Sequence, residues 1–302
     1  MKQYGFGVDL GGTTCKIGLF KTSGELLDKW EIRTNTENNG ASILDDIANA
    51  IESKISSAHI DKSDIQGIGI GVPGPVATDG TVYKCVNLGW GIFNVAKEMS
   101  SKTGLKVKAG NDANIAALGE MWQGAAKGYS DIVMATIGTG VGGGIIVNGQ
   151  ILSGTKGGAG EIGHICVNKD ETEKCNCGKK GCLEQYASAT GIVRMAKKKL
   201  HREEITAKEI FDEAKAGDAS ANELVNKLGN FLGTALSTVA NVTNPQIFII
   251  GGGVSKAGKI LIDATEKHFK EQAFHVCSDA KFALAKLGND AGIYGGVRLI
   301  LE

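Results

Sequence analysis

The stretch Gly160–Gln185, GEIGHICVNKDETEKCNCGKKGCLEQ, constrains this chain more than any other, because it gathers one histidine and four cysteines in twenty-six residues. Cys175, Cys177 and Cys182 follow a C-x-C-x4-C spacing, and His164 lies eleven positions before the first of them. Thiolate sulfur and imidazole nitrogen are the ligands a tetrahedral Zn2+ prefers, so these four residues make a closed Cys3His set. Gly178 and Gly181 fall between the ligands, where a knuckle needs backbone able to take positive φ. The competing reading, a disulfide or merely buried thiols, suits a cytosolic-looking chain poorly. Cys166 has an apolar neighbour on each side and is expected in a strand, facing the core. Four protein ligands leave no place for a metal-bound water, so the metal is expected to shape a loop rather than act as a Lewis acid. Glu161 and Glu184 flank the knuckle. Carboxylates and an imidazole edge are therefore expected to converge on a small polar ligand.

At 302 residues the chain is long enough to bury a sizeable core and to form two domains. Its 33 basic and 33 acidic residues cancel, which removes the simplest electrostatic case for nucleic acid or an anionic membrane as partner. The apolar run Ile247–Ile250 is far too short to cross a bilayer. Residues 1–20 lack a signal-peptide layout, since glycines and Asp9 interrupt any apolar stretch. With further thiols at Cys15, Cys85 and Cys277, a reducing cytoplasm is the expected compartment. The 44 glycines are about twice the average share. They cluster at 138–144, 154–163 and 251–253, as expected where strand ends bring backbone close to a ligand.

Taken in order, residues 5–10, 16–20 and 25–33 read as an antiparallel meander with a tight glycine turn. Helical spacing runs over 41–58, a strand follows at 68–72, and Pro73-Gly74-Pro75 breaks it. A helix near 95–102, a strand at 105–109 and a helix from Asn111 through Gln123 complete a βββαβα order. The second half begins the same way, with a strand at 132–137, the glycine turn, and a return at 145–147. VDLGGT at 8–13 and ATIGTG at 135–140 are thus equivalent strand-to-turn units, a hint of two related halves. Helices are expected at 192–200, 207–215, 219–241, 260–270 and 292–301, with strands at 246–250 and 282–285. Thr206 and Glu209 have capping-box spacing, and Lys197-Lys198-Lys199 reads as a solvated helix face. Strands alternating with helices mean an α/β fold with ligands at the strand carboxyl ends.

No P-loop spacing occurs, but D-x-G-G-T-T at 9–14 can serve a nucleotide. Gly11 and Gly12 expose amides, Thr13 and Thr14 offer hydroxyls, Lys16 lies two residues on, and Asp9 could hold Mg2+ through its waters. An ordinary tight turn is the alternative, and the second glycine turn weighs against it. Gly251-Gly252-Gly253 would let backbone pass an adenine face, or would simply pack a helix on a strand. Asp112 is the candidate for proton handling. It stands where a strand gives way to a helix, so a plain N-cap is the rival role, unless Asn111 or Asn114 fills that cap.

Together G-V-D-L-G-G-T at 7–13, G-V-P-G at 71–74, N-D-A-N at 111–114, G-T-G-V-G-G-G at 138–144, G-E-I-G-H at 160–164 and C-x-C-G-x2-G-C-L-E at 175–184 resemble the ROK family of repressors, uncharacterised reading frames and kinases. Within it the likeness is to the sugar kinases of the bacterial glucokinase type, from about residue 4 to the C-terminus. The knuckle is highly specific to that family; the first glycine motif is shared by the wider sugar-kinase, actin and Hsp70 group. The resemblance implies an α/β actin-like ATPase fold of two RNase-H-like domains with a cleft between them. A small N-terminal domain (1–112 plus 291–302) and a large domain carrying the zinc site (113–290) are expected. It implies ATP-dependent phosphorylation of glucose at the 6-hydroxyl, with ATP, Mg2+ and a structural Zn2+, in a homodimer or higher homo-oligomer. Asp112 then corresponds to the general base, and Gly74, Asn111, Asp112, Glu161, His164 and Glu184 to the sugar contacts. His164 would serve zinc through one ring nitrogen and sugar through the other. Asp9, Gly11, Gly12, Thr13, Thr14, Lys16, Gly138, Thr139, Gly140, Gly142, Gly252 and Gly253 are expected around the nucleotide. An N-acetylglucosamine or N-acetylmannosamine kinase would use the same motifs, and polyphosphate is an alternative donor. A sugar-responsive regulator would carry a DNA-binding domain ahead of a first strand that here begins at residue 5.

Overall fold

The computed structural model describes residues 2–302, and the chain divides into two compact units. The first comprises residues up to Gly128, Ile151–Ala159 and Asn289–Glu302; the second comprises Tyr129–Gln150 and Gly160–Gly288.

In the first unit β1 (Tyr4–Leu10), β2 (Thr14–Lys21), β3 (Leu26–Arg33) and β4 (Ile65–Val72) form one sheet, with a small ribbon of β5 (Thr81–Val82) and β6 (Phe93–Asn94) beside it in the chain. β7 (Val107–Asn111) completes the order β3-β2-β1-β4-β7. β1 is antiparallel to β2 and parallel to β4, and β4 is parallel to β7. The near-continuous apolar run of β1 suits a strand covered on both faces, and Phe6 and Val8 are fully buried. The helix Ile43–Ser57 turns Ile43, Leu44, Ile47, Ile51 and Ile55 inward, the periodicity its sequence announces.

The second unit repeats this plan. β8 (Ile132–Ile137), β9 (Val141–Val147), β10 (Gln150–Ile151), β11 (Ile247–Gly251) and β12 (Lys281–Leu284) take the order β10-β9-β8-β11-β12. β8 is antiparallel to β9 and parallel to β11, which is parallel to β12. Position for position, β8 therefore stands where β1 stands, and Thr136 beside Gly251 matches Asp9 beside Gly71. The two glycine turns occupy equivalent places, as the sequence suggests. Helices Ala189–Leu200, Ala207–Lys215, Ala219–Thr243 and Lys259–Gln272 cover the second sheet, the second of them opened by the Thr206–Glu209 capping box.

Two expectations change. The sequence reading ends the first unit at 112, whereas the contact division keeps the helix Asp112–Gln123 with it. That helix packs along the C-terminal helix Ala291–Leu301, backbone against backbone, because Gly119 faces Ala291 and Gly295 faces Ile115 with no room for a Cβ. Cys166 is exposed rather than core-facing. Its short extended segment bridges to Cys182 of the knuckle, outside the main sheet; the flanking Ile165 and Val167 pack on the core, and Cys166 faces the other way.

Candidate active site

In the first unit the turn between β1 and β2 closes with a Gly11 N–H to Thr14 carbonyl bond of 3.0 Å, leaving Gly12, Thr13 and Thr14 exposed. Asp9, one residue before the end of β1, pairs with Lys16 across β2 and with Gly71 across β4. The first turn of the C-terminal helix closes over it: a Cβ on Gly292 would stand 2.5 Å from the Asp9 carboxyl carbon. Burial raises the Asp9 pKa to about 6; the negative charges of Asp112 and Asp290 add to the shift and Lys16 opposes it. Lys16 Nζ donates to Asn289 O (2.7 Å) and to Asp290 Oδ1 (3.2 Å), and Lys29 holds the other Asp290 oxygen.

Asp112 opens the helix that follows β7, at the same carboxyl edge of the sheet as Asp9. β1 pairs Asp9 with Gly71, and β4 pairs Gly71 with Gly110, two residues before Asp112. The N-cap is Asn111, whose Oδ1 accepts from the N–H groups of Ala113 (3.0 Å) and Asn114 (3.2 Å). The cap role is therefore filled without Asp112, although its own Oδ1 accepts from Ala113 N–H at 2.8 Å. Asn111 Nδ2 donates to Gly74 O at 3.1 Å, joining the β7 end to the Pro73-Gly74-Pro75 break. Gly74 has φ +96°, and a Cβ there would meet Lys84 O at 2.9 Å.

In the second unit the ligand atoms of His164, Cys175, Cys177 and Cys182 all lie within 4.8 Å of one another. His164 Nδ1 is 3.7 Å from Cys175 Sγ, and Cys177 Sγ is 3.6 Å from Cys182 Sγ. Bonds of about 2.0–2.3 Å to a tetrahedral ion set donor–donor edges of roughly 3.5–3.8 Å, so the residues present fit such an ion. Gly178 and Gly181 take the positive φ the knuckle calls for, +86° and +74°. Around this cluster His164 Nε2 is 3.9 Å from Glu161 Oε2, and Nδ1 is 3.7 Å from Glu184 Oε1. Glu184 Oε1 also accepts from Cys175 Sγ at 2.8 Å. Burial, then that carboxylate, pushes the Cys175 thiol well above its ordinary range.

Behind the knuckle lies a network that sequence reasoning missed. Arg194 donates to Glu171 (2.7 Å), Glu173 (3.0 Å) and Gln185 O (3.1 Å), and Gln185 Oε1 accepts from the Cys182 N–H. Burial would raise the Glu171 carboxyl, but the Tyr186 hydroxyl, the Glu173 N–H and Arg194 hold it down at about 2. Nothing local in the sequence marks Arg194, which sits on an amphipathic helix beside the lysine face.

The second glycine turn is anchored by the start of that helix: Ala189 N–H donates to Gly138 O and Thr190 Oγ1 to Thr139 O. A Cβ on Gly140 would fall 2.7 Å from Glu184 Oε2, so this turn and the knuckle carboxylate share one wall. A cavity of about 330 Å3 opens there, lined by Thr139, Gly140, Cys175, Glu184 and Arg194. A second, of about 480 Å3, is lined by Gly138, Thr139, Phe211, Lys215, Gly253 and Val254 among others. Gly253 thus borders a cavity, while Gly252 (φ +80°) packs against Ile137, where a Cβ would meet its carbonyl oxygen at 2.5 Å. Gly252 thus fills the packing role weighed for this triplet. The sequence marks 207–215 as a helix, but not as a cavity wall.

Duplicated sheets of one strand order, each with a glycine turn after its first strand, and a buried carboxylate beside one of them define an actin-like ATPase fold built for phosphoryl transfer. Residues 5–302 match the ROK family model. A glucokinase of Halalkalibacterium halodurans is 47% identical, over 98% of this chain and 94% of its own length. The crystal structure of a ROK family glucokinase from Streptomyces griseus in complex with glucose and AMPPNP superposes with a TM-score of 0.77 at 32% identity, over 98% of both chains. An N-acetyl-D-glucosamine kinase of Haemophilus influenzae is 28% identical over 98% of this chain and 99% of its own. The chain belongs to the ROK family, as a sugar kinase. Among the described residues no helix is long and apolar enough to cross a membrane.

Proposed function

We propose that the protein transfers the γ-phosphoryl group of ATP to the 6-hydroxyl of glucose. The observation that carries this reading is the donor cluster of the second unit, which holds the His164 ring within 4 Å of both Glu161 and Glu184. An imidazole edge and two carboxylates are the hydrogen-bonding groups a polyhydroxylated ring requires. The ring nitrogens support the double role: Nδ1 faces the thiols and Nε2 faces Glu161. The 47% identical glucokinase and the glucose-bound relative favour glucose over other hexoses. The 28% identical N-acetyl-D-glucosamine kinase favours the second reading, an N-acylhexosamine kinase.

In this mechanism His164, Cys175, Cys177 and Cys182 would hold Zn2+, which supplies a rigid loop when bound. Asp9 would hold Mg2+ through its waters, and the ion, when bound, neutralises phosphate charge. Thr13, Thr14 and the amides of Gly11 and Gly12 would serve phosphate oxygens, and Gly138, Thr139, Gly140 and Gly142 are the further candidates for nucleotide contact. Asn111, Gly74, Glu161, His164 and Glu184 orient the sugar. Asp112 accepts the proton of its 6-hydroxyl, a role typically worth about 10^2–10^4 in rate. A cytoplasmic location and a homodimer or higher homo-oligomer belong to the same reading.

ADP release coupled to a reporter reaction, against a panel of hexoses and N-acetylhexosamines with ATP or polyphosphate as donor, tests this. Glucose with ATP is expected to give the highest kcat/KM. A higher value for either N-acetylhexosamine would transfer the assignment to the second reading.

A further inference from the structure

Cys166 lies directly opposite the metal-ligand residue Cys182 in an isolated antiparallel bridge. The bonds on either side of the pair run from Leu183 N–H to Ile165 O (2.9 Å) and from Val167 N–H to Gly181 O (2.8 Å). That pattern makes the two cysteines a non-hydrogen-bonded pair, with Cα atoms about 4.5 Å apart and both side chains leaving on one face. The separation lies inside the span of roughly 4.4–6.8 Å that a disulfide bridges. Cys166 Sγ already rests over this bend, 3.4 Å from where a Cβ on Gly181 would stand. It is exposed, and it is the one thiol of the segment outside the Cys3His set.

We infer that Cys166 is an oxidation site, at which hydrogen peroxide drives a Cys166–Cys182 disulfide and withdraws Cys182 from the metal. The Cys166 sulfur attacks the peroxide, the O–O bond breaks, and a sulfenic acid and hydroxide form. The Cys182 sulfur then attacks the Cys166 sulfur; the S–S bond forms and the sulfenic oxygen leaves as hydroxide, protonated by solvent. Each sulfur loses one electron and the peroxide is reduced to two waters. With three protein ligands left, the ion is held less tightly and is lost to competing chelators. Glu184, two residues beyond Cys182, and His164, the remaining nitrogen ligand, lose their common anchor. This inference rests on the metal set assigned under the proposed function, but the disulfide is read out separately from metal and from turnover.

The test uses the full chain loaded with one equivalent of Zn2+ and treated with hydrogen peroxide. Zinc release is followed with a metallochromic indicator, and disulfides are mapped by mass spectrometry after thiol alkylation. The wild type is expected to release zinc as the Cys166–Cys182 linkage accumulates, and to regain it with dithiothreitol and added zinc. Cys166→Ser is expected to keep its activity before treatment and to release zinc on the order of tenfold more slowly, because the neighbouring thiol supplies a high effective concentration. Equal release from both proteins, or a Cys177–Cys182 linkage in the wild type, overturns the inference. A chain that takes up no zinc overturns the metal set instead; the linkage mapped in that same metal-free protein then decides the cysteine pairing by itself.

Discussion

Replacing Asp9 with Asn should separate stability from activity in one residue. Asp9 has its pKa raised from 3.8 to about 6, with burial as the largest cause. Between those values the folded protein holds the Asp9 proton more tightly than the unfolded chain does. Its contribution to stability is therefore full below pH 3.8 and is lost as the pH rises to about 6. A shift of this size is worth about 3 kcal/mol, since each pKa unit is about 1.4 kcal/mol. Asn removes the titration while keeping the shape beneath Gly292. The variant should thus gain about 3 kcal/mol on the wild type between pH 4 and pH 7, roughly 5–10 °C in Tm. Urea and thermal unfolding of both proteins across that range measure the difference, in which the titrations of groups not coupled to Asp9 cancel. In the wild type, kcat/KM for MgATP should fall as pH drops below about 6, because the protonated acid no longer serves a metal ion. A stability difference that stays flat from pH 4 to pH 7 would refute the reasoning, for it would mean that Asp9 is solvated in the folded protein.

Three further outcomes follow from the same geometry. Asp112→Asn should lower kcat by about 10^2–10^4 with sugar KM within a few-fold, because Asn111 retains the helix cap; steady-state kinetics with unchanged kcat would reject the base assignment. Gly252→Ala should destabilise by about 2–4 kcal/mol in urea unfolding, since it adds a methyl at φ +80° only 2.5 Å from the Ile137 carbonyl oxygen. Arg194→Gln should raise sugar KM about tenfold and speed zinc loss to a chelator, with KM for ATP unchanged, because it frees Gln185 behind Cys182; equal changes in both KM values would show a general loosening.

Much of the fold was written in local patterns. The isoleucines of 43–55 and the capping box at Thr206 needed only their spacing, and both appear as expected. The resemblance between VDLGGT and ATIGTG hinted at two related halves, and the two sheets share one strand order. What escaped were contacts between distant segments. Gly119 and Gly295, which no sequence motif marks, bring two helices into backbone contact and hold 112–123 in the first unit. Cys166 looked like a core residue from its apolar neighbours, yet Ile165 and Val167 take the core face of that short segment and leave Cys166 exposed opposite Cys182.

By itself the sequence determined the histidine–cysteine cluster that could hold a metal and the succession of strands along the chain. Ligand chemistry demands particular residue types at short spacings, and periodicity reports which face is apolar. Only the tertiary structure decided the rest: the elevated Asp9 pKa, the cap at Asn111, the Arg194 brace and the pairing of Cys166 with Cys182. Each depends on a desolvation or a distance between groups far apart in the chain, which no local pattern encodes.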